Sequence, residues 1–236
     1  MKQRPGDEIS INDLARAASL SKFHFCRLFR RVTGITPGRF LSAIRLEEAK
    51  RLLLATDASV TEISFAVGYN SLGTFTSRFT RSVGLTPTAF RRQASSGGSV
   101  PGAPDHEAAG GRGSIGGTIA SEEEFTGLII VALFEGPIPE GRPRHCTRLP
   151  APGPWRIDNI PPGDWHVVAC GLPNAGAGPA GPDSGRMLVA RPSPRVTIGE
   201  GRPAAQLDLS LRRLRMTDPP VLVALPTAIP AQRTVG

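Results

Sequence analysis

The sequence predicts a multidomain chain, an all-α double helix-turn-helix module followed by an all-β sandwich. Three observations lead there. Residues 8–93 carry apolar side chains at helical spacing in a pattern written twice. Residues 94–118 are rich in Gly, Ser, Pro and Ala. From about residue 122 to 214 the spacing changes to that of short strands. The expected division is 1–95 for the helical module, 96–120 for a flexible linker, 121–216 for the sandwich and 217–236 for an irregular tail.

The helical part repeats itself. Ser10-Ile-Asn-Asp-Leu14 returns as Ser59-Val-Thr-Glu-Ile63, an offset of 49. Phe25, Phe29 and Arg31 return as Phe75, Phe79 and Arg81, and Gly34-Ile-Thr-Pro37 with Phe40 returns as Gly84-Leu-Thr-Pro87 with Phe90, an offset of 50. Ser10 with Asp13, and Ser59 with Glu62, read as capping boxes that start short helices. Ile11, Leu14 and Ala18 line one face of the first, and Val60, Ile63 and Val67 one face of the second. A second helix follows in each repeat, near Lys22–Val32 and Ser71–Ser82. Gly34 and Gly84 suit C-terminal caps, and Pro37 and Pro87 suit first helical positions. Between the repeats, Pro37 to about Ala55 reads as one long helix, ~27 Å by its rise per residue.

Charge singles out the same segment. Residues 1–95 hold 15 Lys/Arg against 7 Asp/Glu, net +8, whereas residues 96–236 are neutral. A polyanion partner for the first segment fits this asymmetry, as does plain solubility. In the first of the two longer helices, Phe25, Leu28, Phe29 and Val32 form the expected core stripe. Phe23 falls on the opposite side beside Arg27 and Arg30. An aromatic on a wet face suits contact with a thymine methyl or a sugar, and packing on a loop is the plainer alternative. Arg27 suits guanine readout or a solvated surface role. In the later helix Gly73, Thr74 and Ser77 face away from Phe75 and Phe79, while Leu72 lies by phase near the core.

Residues 19–54 and 66–92 resemble the AraC/XylS family of transcription regulators, on Gly68 with its following aromatic, Phe75, Phe79, Gly84, Pro87, Phe90 and Arg91. The resemblance covers residues 8–93 or so, roughly a third of the chain. It implies a monomeric DNA-binding module of seven helices reading two successive major-groove segments. It places base reading on Phe23, Cys26 and Arg27, then on Leu72, Gly73 and Ser77, and phosphate contact on Lys22, Arg30, Arg81 and Arg91. Leu72-Gly73 and Ser77 replace longer polar side chains common there, so the second reader is expected to be weak or shape-based. Double-stranded DNA is the implied partner, with RNA polymerase beyond it.

In the second half, Leu207, Leu209 and Leu211 alternate with polar residues as a half-buried antiparallel strand does. Phe125–Phe134 is a buried run without alternation, and Trp155–Ile157, Trp165–Cys170 and Val196–Ile198 add further strands, about seven in all. The turn within Ile157–Trp165 (IDNIPPGDW) resembles prealbumin-like domains related to the carboxypeptidase regulatory domain. That resemblance implies a fold and no activity. His145-Cys146 and His166 with Cys170 have strand spacing that keeps each pair from sharing one metal, so no metal and no cofactor are expected. Trp155 and Trp165 are expected in the core. No nucleophile elbow, phosphate loop or His-Glu-x-x-His pattern occurs, so an enzyme is not expected. A small-molecule effector or a protein partner is expected for the sandwich, against purely structural, oligomerising or carbohydrate-binding-like alternatives. Three cysteines, no apolar leader and no long apolar run point to the cytoplasm, with no membrane span.

Overall fold

The computed structural model describes residues 6, 9–95, 113–143, 145–173, 187–191, 195–199 and 205–224. They fall into two compact units. The first, here the head, comprises Met1–Ser96 together with Pro137–Arg142 and Arg215–Ala224. The second, the β unit, holds the strands. Residues 225–236 of the expected tail and 96–112 of the expected linker lie outside the described residues.

The head has six helices among the described residues, one fewer than the family resemblance implies: α1 Ile11–Ala17, α2 Lys22–Thr33, α3 Pro37–Ala55, α4 Val60–Ala66, α5 Leu72–Val83 and α6 Pro87–Ser95. Both expected capping boxes form. The Ser10 hydroxyl accepts from the Asp13 amide at 3.1 Å, and the Ser59 hydroxyl accepts from the Glu62 amide at 3.1 Å. Gly34 and Gly84 end α2 and α5 in left-handed conformations, at φ of 78° and 86°. One apolar cluster joins Phe40, Ala43, Ile44, Leu46, Ala49 and Leu53 of α3 to Ile63, Phe75, Phe79 and Phe90. α3 is therefore the spine of the head, buried on several sides.

Three expectations are corrected in the head. α2 buries none of its residues: Leu28 is 41% exposed and Val32 57%, with Phe25 and Phe29 half-buried. In α1 the buried residue is Ala15, while Ala18, already past the helix end, is exposed. Leu72, expected near the core, is 40% exposed at the first position of α5, one turn before the buried Phe75.

The β unit contains β1 Gly113–Ser121, β2 Gly127–Phe134, β3 His145–Leu149, β4 Gly153–Ile160, β5 Gly163–Pro173, β6 Leu188–Ala190, β7 Val196–Ile198, β8 Ala205–Gln206 and β9 Leu209–Arg213. The pairing path runs β3-β2-β5-β6-β9-β1-β4, with β7 on β5 and β8 on β1. The two layers expected of a sandwich are thus one sheet folded over a single core. Ile115, Ile119, Ile129, Val131, Trp155, Ile157, Trp165, Leu209 and Leu211 all belong to that core. The first strand begins at Gly113, inside the segment expected to be linker. β9 does alternate as expected, but it pairs with β6 antiparallel and with β1 in parallel. β2 reads as an unbroken apolar run because Ala132 and Phe134 are buried as well as Val131 and Leu133. The turn after β4 carries the chain from β1 to β2 as partner. Just before it, within β4, Asn159 adopts a φ of 58°, and the Trp165 indole donates to the carbonyl of Pro161 in the turn at 3.2 Å.

Candidate nucleic-acid interface

Two helices present equivalent surfaces. α2 is capped by Ser21, whose hydroxyl accepts from the His24 amide, and α5 by Ser71, which accepts from the Thr74 amide. Their free first-turn amides and helix dipoles favour an anion at these ends. Neither helix contains an acidic residue. Both are seated by the same arrangement of rings. Phe25 and Phe29 lie 5.6 Å apart at 48°, and Phe75 and Phe79 lie 5.6 Å apart at 49°. Phe40 then meets Phe29 edge-on at 5.3 Å, as Phe90 meets Phe79 at 5.8 Å. The internal repeat of the sequence is thus a repeat of geometry.

With the rings turned inward, the opposite faces are open. On α2, Phe23 is 80% exposed, Lys22, Arg27 and Arg30 are exposed, and Cys26 is a half-buried free thiol. On α5, Leu72, Gly73, Thr76, Ser77, Thr80 and Arg81 line one open depression of about 700 Å³. Among the described residues Lys22, Arg27, Arg30 and Arg81 meet no carboxylate. A Cβ on Gly73 would meet only the Ser71 hydroxyl, at 3.8 Å, so packing does not require glycine there. Its effect is to leave the α5 backbone uncovered for close approach.

The structure gives Arg91 a different task from the phosphate contact expected of it. Its Nε donates to the Leu53 carbonyl at 3.1 Å, and its Nη2 donates to the carbonyls of Ala58 at 2.6 Å and Thr56 at 3.3 Å. The guanidinium fork thereby closes the chain between α3 and α4. Lys50, which the sequence did not single out, sits 5.9 Å from the centre of the Phe90 ring. An ammonium group within helical spacing of leucines gave no signal of that role.

His145 is buried against the edge of the Trp165 ring, 5.5 Å between centres. Cys146 is on the other side of β3, and burial pushes its thiol pKa up. His166 is pushed down, first by burial and then by the Arg195 charge. Trp155 and Trp165 both lie in the core, as expected. Among the described residues no cluster of three His, Cys, Asp or Glu side chains is placed to hold a metal ion. Among the described residues no helix is long and apolar enough to cross a membrane.

Residues 14–93 match the family model described as a helix-turn-helix domain. The helix-turn-helix-type transcriptional regulator YdeC of Bacillus subtilis is 34% identical over 86 residues, 36% of this chain and 30% of that protein. Residues 14–93 thus form a helix-turn-helix domain. The MmsAB operon regulatory protein of Pseudomonas aeruginosa is similar at 33% identity over 93 residues, 39% of this chain and 30% of that protein. A crystal structure of a transcriptional regulator of AraC-type DNA-binding-domain proteins from Chromobacterium violaceum covers 43% of this chain and 88% of its own, at 28% identity and a TM-score of 0.39. The DNA-binding domain of AdpA in complex with a target DNA covers 40% of this chain and 86% of its own, at 30% identity and a TM-score of 0.39. The chain spans about a third of the length of the curated relatives it matches. Those relatives are named as regulators of transcription, not as enzymes.

Proposed function

We propose that this chain is a sequence-specific DNA-binding transcription regulator whose helices α2 and α5 enter two successive major-groove segments. The observation that carries the reading is the repeated ring geometry, which turns two capped, acid-free helix faces outward. On α2, Phe23, Cys26 and Arg27 read bases, with Lys22 and Arg30 on phosphates. On α5, Leu72, Gly73 and Ser77 approach base edges, with Arg81 on phosphate. Arg91 is left out of the phosphate set, since its fork holds carbonyls. The names of the relatives support regulation of transcription, which makes RNA polymerase a further partner and the cytoplasm the place of action. The β unit is assigned sensing or interaction.

Selection of duplex sites by the intact chain from a random pool tests this. α2 offers Phe23 and Arg27 where α5 offers Gly73 and Ser77, so sharper base preference is expected in the half-site read by α2. Arg27→Ala should cost about 1–3 kcal/mol and relax one base position, while Arg81→Ala should weaken all sequences alike. Affinity should fall steeply with salt, because phosphate contacts release counterions. A chain that selects no site at low salt overturns the reading.

A further inference from the structure

The second helix-turn-helix is completed by chain remote from it in sequence. Ile138 and Leu222 are 3% and 1% exposed, and both lie in the apolar cluster that holds Phe75, Phe79, Val83 and Phe90. The last carbonyls of a helix lack partners within it. In α5 two of these are filled from outside: the Gly141 amide donates to the Ser82 carbonyl at 2.7 Å, and the Ala224 amide donates to the Val83 carbonyl at 3.2 Å. The Ser82 hydroxyl donates to Glu140 at 3.0 Å, and Arg39 reaches the other Glu140 oxygen at 3.2 Å. The Leu222 amide donates to the Pro139 carbonyl at 2.9 Å, so the two segments are tied to each other. Lys50 of α3 closes the arrangement, its ammonium donating to the carbonyls of Val221, Leu222 and Val223 at 3.1, 3.3 and 3.1 Å.

Among the described residues α2 has no such fastening. Ser82 at the end of α5 is buried, whereas Val32, its counterpart one repeat earlier, is 57% exposed. Among the described residues the α2 end is closed by local contacts alone. Gly34 donates to the Arg30 carbonyl, and Thr33 Oγ1 donates to the carbonyls of Phe29 and Ile35.

We infer that Pro137–Arg142 and Val221–Ala224 are positioning elements for α5, which fix the angle at which the second reading helix is presented to DNA. This rests on the reading that α5 meets DNA. Chain connectivity gives the fastening a use. Pro137 follows the end of β2 after two residues, and Arg215 follows the end of β9 after one. A ligand or partner that displaces those strand ends therefore acts on the second half-site and leaves the first alone. Leu222, Ile138, Lys50 and Glu140 are the positioning residues.

The test uses the full chain and a DNA site selected with the unaltered protein. Leu222→Ala and Lys50→Met are compared by footprinting resolved to each half-site and by hydrogen exchange along α2 and α5. Protection of the α5 half-site should fall tenfold or more, that of the α2 half-site should change less than twofold, and Leu222→Met should restore most of the loss. Glu140→Gln, on the surface, keeps the acceptor for Ser82 and removes the ion pair, and should give the same asymmetry at a few-fold. Equal loss from both half-sites, or no change in either, overturns the inference. An unaltered chain that selects no DNA site sinks the regulator reading instead. Hydrogen exchange still decides the fastening in that case: it must rise at the C-terminal end of α5 in Leu222→Ala and stay unchanged in α2.

Discussion

The two helix-turn-helix halves share ring geometry and differ in how firmly it is held. Phe75 and Phe79 are fully buried, while Phe25 and Phe29 are only half-buried at the same mutual distance and tilt. α4 buries Ile63 and Ser64, while α1 buries Ala15 alone. The second half also receives Ile138 and Leu222 from later in the chain. Reading groups are distributed the other way. α2 carries the aromatic and the arginine suited to bases, while α5 offers a glycine, a serine and open backbone. On the proposed function, the reader poor in side-chain contacts is the one made rigid. Backbone and shape readout need a fixed helix, because no long side chain can adapt to an error in its placement. The richer reader tolerates a looser seat, since Arg27 and Phe23 adjust through their own rotamers.

The sharpest way to break this comparison is to remove one ring from each half. Phe79→Ala should cost about 3–5 kcal/mol, the usual figure for a fully buried phenylalanine. Phe29→Ala should cost roughly half as much, because less of its area leaves water. Site-resolved hydrogen exchange is the right measurement, since two compact units need not unfold together. Equal losses at the two sites would show that the halves are equally well packed, and the comparison would fail.

The turns supply a smaller contrast. Gly68 has a φ of 85°, and a Cβ there would lie 2.9 Å from the Arg45 guanidinium. Its counterpart at the offset of 49 is Ser19, which takes a φ of 54° despite its side chain. An L-residue in this left-handed region costs about 1–2 kcal/mol relative to glycine. Ser19→Gly should therefore stabilise the first half by about 1 kcal/mol, offset in part by the added freedom of the unfolded chain. Gly68→Ser should destabilise the second half by at least as much. Denaturant titration followed by amide signals from α1 and α4 separates the two. A loss on Ser19→Gly would mean that the Ser19 side chain has a stabilising contact outweighing its strain.

How far the sequence foretold this molecule depends on where each contact is made. Caps, ring pairs and helix ends are local, so Ser10, Ser59, Gly34 and Gly84 announced themselves by spacing. The exposed face of α2 followed from phase, and Phe23 stands where the helical wheel put it. The burial of α2 did not follow, because a wheel shows which side faces inward and not whether anything is there to cover it. The fastening of α5 was hidden for the opposite reason. Pro137–Arg142 fell inside the expected sandwich, and most of Arg215–Ala224 inside the expected irregular tail. Their partners lie 58 to 173 residues away, beyond any local pattern. Arg91 shows the same limit: its position fits a phosphate contact, and only tertiary structure brings the carbonyls of Leu53 and Ala58 to it.

Acid offers the gentlest probe of the two halves, through a group each has in common. The Asp13 carboxylate accepts from the Ser10 hydroxyl at 2.6 Å and from the Ser10 amide at 3.2 Å, and these bonds hold its pKa below the ordinary aspartate range. Glu62 is lowered in the same way, first by the Ser59 amide at 2.7 Å. A carboxyl lowered in the folded state binds its proton more readily when unfolded, so stability rises with pH across the interval between the two values. The contribution is complete above the unfolded carboxyl's range and disappears as pH falls through the lowered folded values. Both groups are solvated, so the effect on the whole head is small, and it should appear as fraying of the helix starts. The halves differ in what remains once the box is protonated. α4 keeps Ile63 and Ser64 buried, whereas α1 keeps only Ala15. Amide protection across residues 11–17 should therefore be lost at a higher pH than across 60–66. Asp13→Asn should flatten the acid dependence in α1 and leave that of α4 in place. Loss in α4 before α1 would show that capping, and not burial, sets the difference between the two halves.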